Sequence, residues 1–388
     1  MRLPGPSEPF LLLDDARVTG AAPARVYRDP VEIVCARTPA EVQPALDRIG
    51  EARDDGLHVA GYMSYEAGYA LEERLCPLAE PGPMPLLWFG LFDGVRFVAP
   101  DDVAAMLPPA GDAAAGPLRP LIDKAAYFAA FAEVQERIRA GDIYQANLTF
   151  PSEVEVTGDP LALYAAIRPR ARGGYGGIVN TGDHWLLSFS PELFFTLASG
   201  QLTARPMKGT AVRAADPATD AAAIVELRED PKQRAENLMI VDLLRNDLSR
   251  VSLAGSVTVP DLFTVETYPT VHQMISTVRA RILPGLSAVD VLRAIFPCGS
   301  ITGAPKMRAM EVIALTEPFS RGPYTGAIGR IDADGNAAFN VAIRTLSLPH
   351  GSRTARIGLG SGVVADSQAE AEWQECLAKG RFLAGHRP

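Results

Sequence analysis

Cysteine is scarce in this sequence: four residues in 388, at positions 35, 76, 298 and 376, with no CxxC pair among them. That spacing argues against a zinc ribbon or a disulfide scaffold and fits a reducing cytoplasm. An excess of positive charge is also missing. The formal net charge is −9 and the pI about 5.2, so no broad basic surface awaits nucleic acid. No run of eighteen or so uncharged apolar residues occurs, and no membrane span is expected. The first residues, MRLPGPSEPFLLLDD, lack the basic start and long apolar stretch of a secretory signal, so a cytoplasmic location is expected. On such a chain an anionic ligand needs a local device: a bound cation, a few Arg or Lys side chains, or backbone N–H groups.

What is present is ordinary globular composition, 47% hydrophobic and 21% charged. Residues 98–120, rich in Pro, Ala, Asp and Gly, read as a linker between an N-terminal part, 1–115, and a C-terminal part, 120–388. A helix is predicted near 124–140, with Phe128, Phe131, Val134 and Ile138 at helical spacing and Gly141 as its stop. An extended run from Ile143 to Phe150 follows, placing Gln145, Asn147 and Thr149 on one face. That polar face turns either to a cavity or to solvent; the pattern leaves both open. Residues 185–205 read as a hairpin turning at Ser199-Gly200. Asp230-Pro231 opens a helix over 231–246, and Ser367 to Glu370 reads as a capping box before a final helix. Long β stretches without regular βα alternation predict an α+β fold with antiparallel sheets.

Several positions carry chemical potential. Glu236 shares a helical face with Met239, Ile240 and Leu243, where a carboxylate is costly unless paired or metal-bound. Glu372 and Glu375 are neighbours on the last helix, with Lys379 one turn on. Carboxylates converging from two helices would suit a hard cation such as magnesium; two solvated helices are the alternative. Lys208, between Met207 and Gly209 at a strand end, suits a nucleophile if burial lowers its pKa, or else is an exposed strand-end lysine. Glu192, after Ser190-Pro191, suits a proton donor. The runs Gly299-Ser-Ile-Thr302-Gly-Ala-Pro-Lys306 and Gly358-Leu-Gly360-Ser-Gly362 offer either anion-binding N–H groups or close strand packing. A P-loop does not fit, because Ala304 stands where its second glycine belongs. Arg344, on what reads as a strand from Phe339 to Leu346, suits a carboxylate clamp or a plain surface arginine. His272 is one of only five histidines, and no Cys–His glutaminase set is visible.

In this order the segments resemble the chorismate-binding enzyme family, which includes anthranilate, aminodeoxychorismate, isochorismate and salicylate synthases. The similarity runs from Ala140-Gly-Asp-Ile-Tyr-Gln145 through Ser190-Pro-Glu192, Pro206-Met-Lys208-Gly-Thr210 and Glu236 to Asp247. It continues through Tyr268-Pro-Thr-Val-His272, Phe296 to Lys306, Tyr324-Thr-Gly and Ala342-Ile-Arg344-Thr to Gly360 to Asp366 with Glu372 and Glu375, so that it spans 120–385. Gly61-Tyr-Met-Ser-Tyr-Glu66 resembles the family's N-terminal region. The resemblance implies an anthranilate synthase component I-like fold, with large antiparallel sheets packed as a sandwich and helices outside. It implies Mg2+ on Glu236, Glu372 and Glu375, and catalysis by Lys208, Glu192 and His272. Substrate binding is implied for Gln145, Gly209, Thr210, Thr302, Tyr324, Arg344, Gly360 and Gly362. Gln145 matches the members that add ammonia, and Lys208 the aminodeoxychorismate branch; anthranilate synthases are the alternative. A glutamine amidotransferase partner would then supply the ammonia.

Overall fold

The computed structural model describes residues 3–80, 82–268 and 271–384. Residues 269 and 270, inside the Tyr268 to His272 segment, lie outside the described residues. Two large sheets dominate, one of eleven strands and one of ten. Every ladder among the described residues is antiparallel, as the lack of βα alternation predicts. The sheets share an inner core in which Leu11, Val179 and Leu186 from the first pack with Tyr62, Trp88 and Ile328 from the second. Helices cover the outer faces. Pro39–Asp54 packs Val42, Leu46 and Ile49 onto the ten-stranded sheet, and Pro160–Ala171 packs Leu163 and Ile167 onto the eleven-stranded one. No helix among the described residues is long and apolar enough to cross a membrane.

The segment read as a linker is packed instead. Val103, Met106 and Leu107 are buried, and Ala114–Ala115 and Arg119–Pro120 pair with the strand Gln145–Thr157. Its Pro and Gly residues mark frequent turns, which a chain folded closely over a sheet also needs. The part before it is woven into both sheets: Phe10–Asp14 pairs with Gly176–Asn180, and His58–Met63 with Ala327–Ile331.

The helix Lys124–Arg139 begins where the Asp123 side chain accepts from the Ala126 N–H, and Gly141 follows its end at φ +76°. It buries Tyr127, Phe131 and Val134. The last helix, Ala369–Lys379, has Gln368 at its N-cap, so the capping box expected from Ser367 and Glu370 does not form. Ser367 sits one position too early and donates to Glu372 Oε1 at 2.7 Å.

A buried polar knot ties the N-terminal part to the centre. Arg321 spans Glu317 bidentately at 2.7 and 2.8 Å and donates to the carbonyls of Asn147 and Ile301. Its backbone N–H and that of Gly322 are accepted by the Glu66 carboxyl. Burial pushes the Glu66 carboxyl up to about 7. The fold therefore prefers neutral Glu66: this stabilisation is complete below the unfolded value near 4.5 and is lost as pH rises through about 7. Denaturant unfolding should weaken by about 3 kcal/mol between roughly pH 4.5 and 7.5 on this account. In Glu66→Gln that pH dependence should flatten; an unchanged slope would show that Glu66 ionises normally.

Candidate active site

At two neighbouring points the chain crosses between the sheets. After His184–Ser188 in the eleven-stranded sheet, residues 189–192 lead to Leu193–Ala198 in the other. After Ala337–Asn340, residues 341–344 lead back to Thr345–Pro349. The crossings are laced together. Phe189 N–H donates to the Arg344 carbonyl at 3.0 Å, Val341 N–H to the Glu192 carbonyl at 3.1 Å, and the Ser190 hydroxyl to the Val341 carbonyl at 2.6 Å. What reads as one strand from Phe339 to Leu346 is therefore two, broken at Arg344 with φ +50°. Burial does not alternate across the break: Phe339 to Ala342 are all buried, Ile343 and Arg344 partly so, and Thr345 and Leu346 are buried again.

Glu192 ends the first crossing and is 6% exposed. Its Oε1 accepts from the Ser300 hydroxyl at 2.6 Å. Burial pushes the carboxyl up; the Ser300 hydrogen bond and the charge of Lys208 oppose that rise. Lys208 lies on Met207–Val212, where the register slips between Met207 and Thr210. Gly209 takes φ +94° there, a bulge that re-aims the lysine. Burial first, and then the neighbouring Lys379 cation, hold the Lys208 ammonium below the usual lysine value, against the pull of Glu192, Glu236 and Glu375. A free amine is thereby favoured.

The polar face of Gln145–Thr157 turns inward: Gln145, Asn147 and Thr149 are all buried. The Gln145 Nε2 finds no hydrogen-bond partner among the described residues. The glycines of Thr354–Val363 serve close packing. A Cβ at 358 would lie 2.0 Å from the Tyr324 ring, and one at 360 would lie 2.6 Å from Thr149 Cγ2. One at 362 would lie 3.0 Å from Gln145 Nε2 and 3.3 Å from Lys208 Nζ, so Gly362 lets amide and amine share a pocket. Gly362→Ala should cost on the order of tenfold in kcat/KM, since a displacement near 1 Å costs about 100-fold and a few tenths proportionally less. Unfolding should change by less than about 1 kcal/mol. Steady-state kinetics and denaturant melts check both, and wild-type kinetics would mean that nothing reacts beside Gly362.

The acids divide. Glu236, on Pro231–Ser249, is only partly buried and makes no hydrogen bond or ion pair within the described residues; burial and the charge of Glu375 push its carboxyl up. Glu375 is paired with Lys379 at 2.7 Å, and Lys379 also donates to the Gly360 carbonyl at 2.9 Å. Glu372 accepts from Ser367. Among the described residues no group of three or more His, Cys, Asp or Glu side chains is arranged to hold a metal ion. Glu236, partly buried, unpaired among the described residues and near enough to Glu375 for their charges to interact, nevertheless fits a hard cation in charge and donor type.

Other candidates stand outside this contact set. His272 is fully buried with both ring nitrogens engaged, Nε2 with Asp220 at 2.9 Å and Nδ1 with Thr267 at 3.0 Å. The Thr302 hydroxyl donates back to the Cys298 and Gly299 carbonyls. Thr210 donates to Gln273, and the Gly209 carbonyl accepts from it. Tyr324 walls a separate cleft of about 430 Å³ with Thr149, Thr345 and Ser347. The Arg344 guanidinium, 6.0 Å over the Phe382 ring, meets no acid among the described residues. Lys306 is ion-paired with buried Asp247 at 2.5 Å and donates to the Ile295 carbonyl, which excludes a phosphate-binding role. Ser300 carries the contact the sequence reading missed; its only signal was its place in the run that contains Thr302.

Known proteins match this chain in sequence family and in fold. Residues 14–385 match the family of chorismate binding enzymes. The chain is 44% identical to aminodeoxychorismate synthase component 1 of Escherichia coli (strain K12) over 249 residues, which are 64% of this chain and 54% of that protein. The alignment thus spans about half of that relative. It is 35% identical to anthranilate synthase component 1 of Methanothermobacter marburgensis over 343 residues, 84% of this chain and 73% of that one. The solved structure of anthranilate synthase component I from Streptococcus pneumoniae TIGR4 superposes with a TM-score of 0.81 at 26% identity, covering 95% of this chain and 93% of that one. A family match over residues 14–385, almost the whole chain, places this protein in the chorismate-binding enzyme family.

Proposed function

We propose that this chain aminates chorismate to 4-amino-4-deoxychorismate, using ammonia delivered by a glutamine amidotransferase partner. The observation that carries this reading is the Lys208 amine, its proton affinity lowered chiefly by burial, sharing a pocket with a Gln145 amide that has no partner among the described residues. Glu192, its carboxyl pushed up by burial, protonates the departing 4-hydroxyl, which leaves as water. The Lys208 amine attacks C2 as the ring double bond shifts. Ammonia then attacks C4, the double bond shifts back, and Lys208 is released. Two allylic displacements explain why a nucleophile serves a simple exchange of hydroxyl for amine. Glu236 and Glu375, with Glu372 nearby, would hold Mg2+, which supplies Lewis-acid polarisation of the ring carboxylate when bound. Arg344, without an acid partner, suits the enolpyruvyl carboxylate.

The name component 1 in the similar Escherichia coli protein supports a second subunit. The test is mass identification of the product from chorismate and an ammonium salt, with and without magnesium. Aminodeoxychorismate is expected; anthranilate would assign the chain to the other branch, and unchanged chorismate would remove the proposal.

A further inference from the structure

The loop 296–305 reaches the active site from the far side of Glu192. Its Gly299 backbone lies against Leu243, where a Cβ would come within 2.7 Å of that side chain. The buried Lys306–Asp247 pair fixes the end of the loop to Pro231–Ser249. Strand pairing of Gly303–Ala304 with Gln145–Thr157 fixes the same end to the eleven-stranded sheet. Ser300 is thereby presented on a rigid arm, 4% exposed, with its hydroxyl on Glu192 Oε1.

We propose that Ser300 positions Glu192 for proton transfer by holding Oε1, so that the acid proton rides on Oε2 and faces the ring. The inference rests on Glu192 as the proton donor. The Ser300 hydroxyl donates to Glu192 Oε1. Cys298 Sγ lies 3.3 Å from the Ser300 hydroxyl oxygen. Burial pushes the Cys298 thiol up to about 12, so it stays protonated and is able to donate to Ser300. With its own proton given to Glu192, the Ser300 oxygen keeps lone pairs with which to accept from Cys298. When Glu192 gives up the Oε2 proton, the charge left on the carboxylate is already met by the serine O–H. Ser300 thus strengthens the acid as well as aiming it. Thr302, two residues on, cannot substitute, because its hydroxyl is turned back into the loop.

The test uses two readouts. Infrared difference titration of the full chain follows the carboxylic acid band that Glu192→Gln abolishes. In Ser300→Ala that band should titrate at higher pH, the acid weakened about tenfold or more, the usual weight of a hydrogen bond to a charged group. Ser300→Thr, which keeps the hydroxyl, should restore it. An unmoved titration overturns the proposal, and this arm needs no turnover, so it decides the matter even if chorismate is not the substrate. In the kinetic arm Ser300→Ala should lower kcat about tenfold with little change in KM and move the alkaline limb of the profile upward. In the Glu192→Gln background the same substitution should add less than about twofold, because a positioning residue has nothing left to position. Additive losses would mean that Ser300 only supports the loop.

Discussion

Lys208→Ala is expected to lower formation of aminated product on the order of 10³-fold or more while leaving the fold intact. Two facts separate the effects. The lysine amine makes no hydrogen bond or ion pair within the described residues, and the site lowers its affinity for a proton, burial being the main cause. Removing an unpaired, desolvated amine releases a cost, so unfolding should be unchanged or up to about 1 kcal/mol harder. The chemistry, in contrast, loses the group that takes C2 in the first displacement. Intact mass of wild-type protein quenched during turnover should show an adduct that digestion maps to Lys208, and the variant should show none. Lys208→Arg keeps a cation but offers no free amine at any working pH, so it should fail as completely as alanine. Full turnover in either variant would strike the covalent step from the account and leave ammonia attacking directly.

How far the sequence carries towards this site depends on what each signal measures. Alternation along Gln145–Thr157 shows which side chains share a face, and it grouped Gln145, Asn147 and Thr149 correctly. It is silent on whether that face is wet, because burial of a polar face depends on the second sheet. Caps are local, and Asp230 does what its position next to Pro231 predicts, accepting from the N–H groups of Lys232 and Gln233. Ser367 and Glu370 satisfy the same kind of pattern, yet the helix starts at a residue that puts Ser367 outside the cap. Burial is nearly continuous through both crossings between the sheets, so no exposed turn marks where Arg344 leaves one sheet for the other. The helix Pro217–Glu229 buries only Leu227, so it carries no apolar stripe to read. Its Asp220 nevertheless captures His272 from 52 residues away. Ser300 and Glu192 are 108 positions apart, and only the fold brings them within 2.6 Å. Local pattern can nominate residues for chemistry, but a contact made across more than a hundred positions leaves no trace in it.

Glu192→Gln is the second large effect, an expected fall of about 10² to 10⁴-fold in kcat with KM held within about twofold. The amide is nearly isosteric, and its carbonyl oxygen can still accept from Ser300, so the crossing at 189–192 should keep its place. What the variant cannot do is protonate a departing hydroxyl, and expulsion of hydroxide from an allylic carbon is the step that the acid makes feasible. The loss should therefore appear before the lysine adduct, not after it. Quenched Glu192→Gln protein should carry no mass on Lys208, where a defect confined to ammonia attack would make the adduct accumulate. Glu192→Asp separates reach from acidity. It retains a titratable carboxyl but draws it back by one methylene from Ser300, so it should fall between wild type and glutamine. Should the glutamine variant turn over at the wild-type rate, the proton must come from elsewhere, and a buried carboxyl near the Lys208 amine would have no chemical task in this reaction.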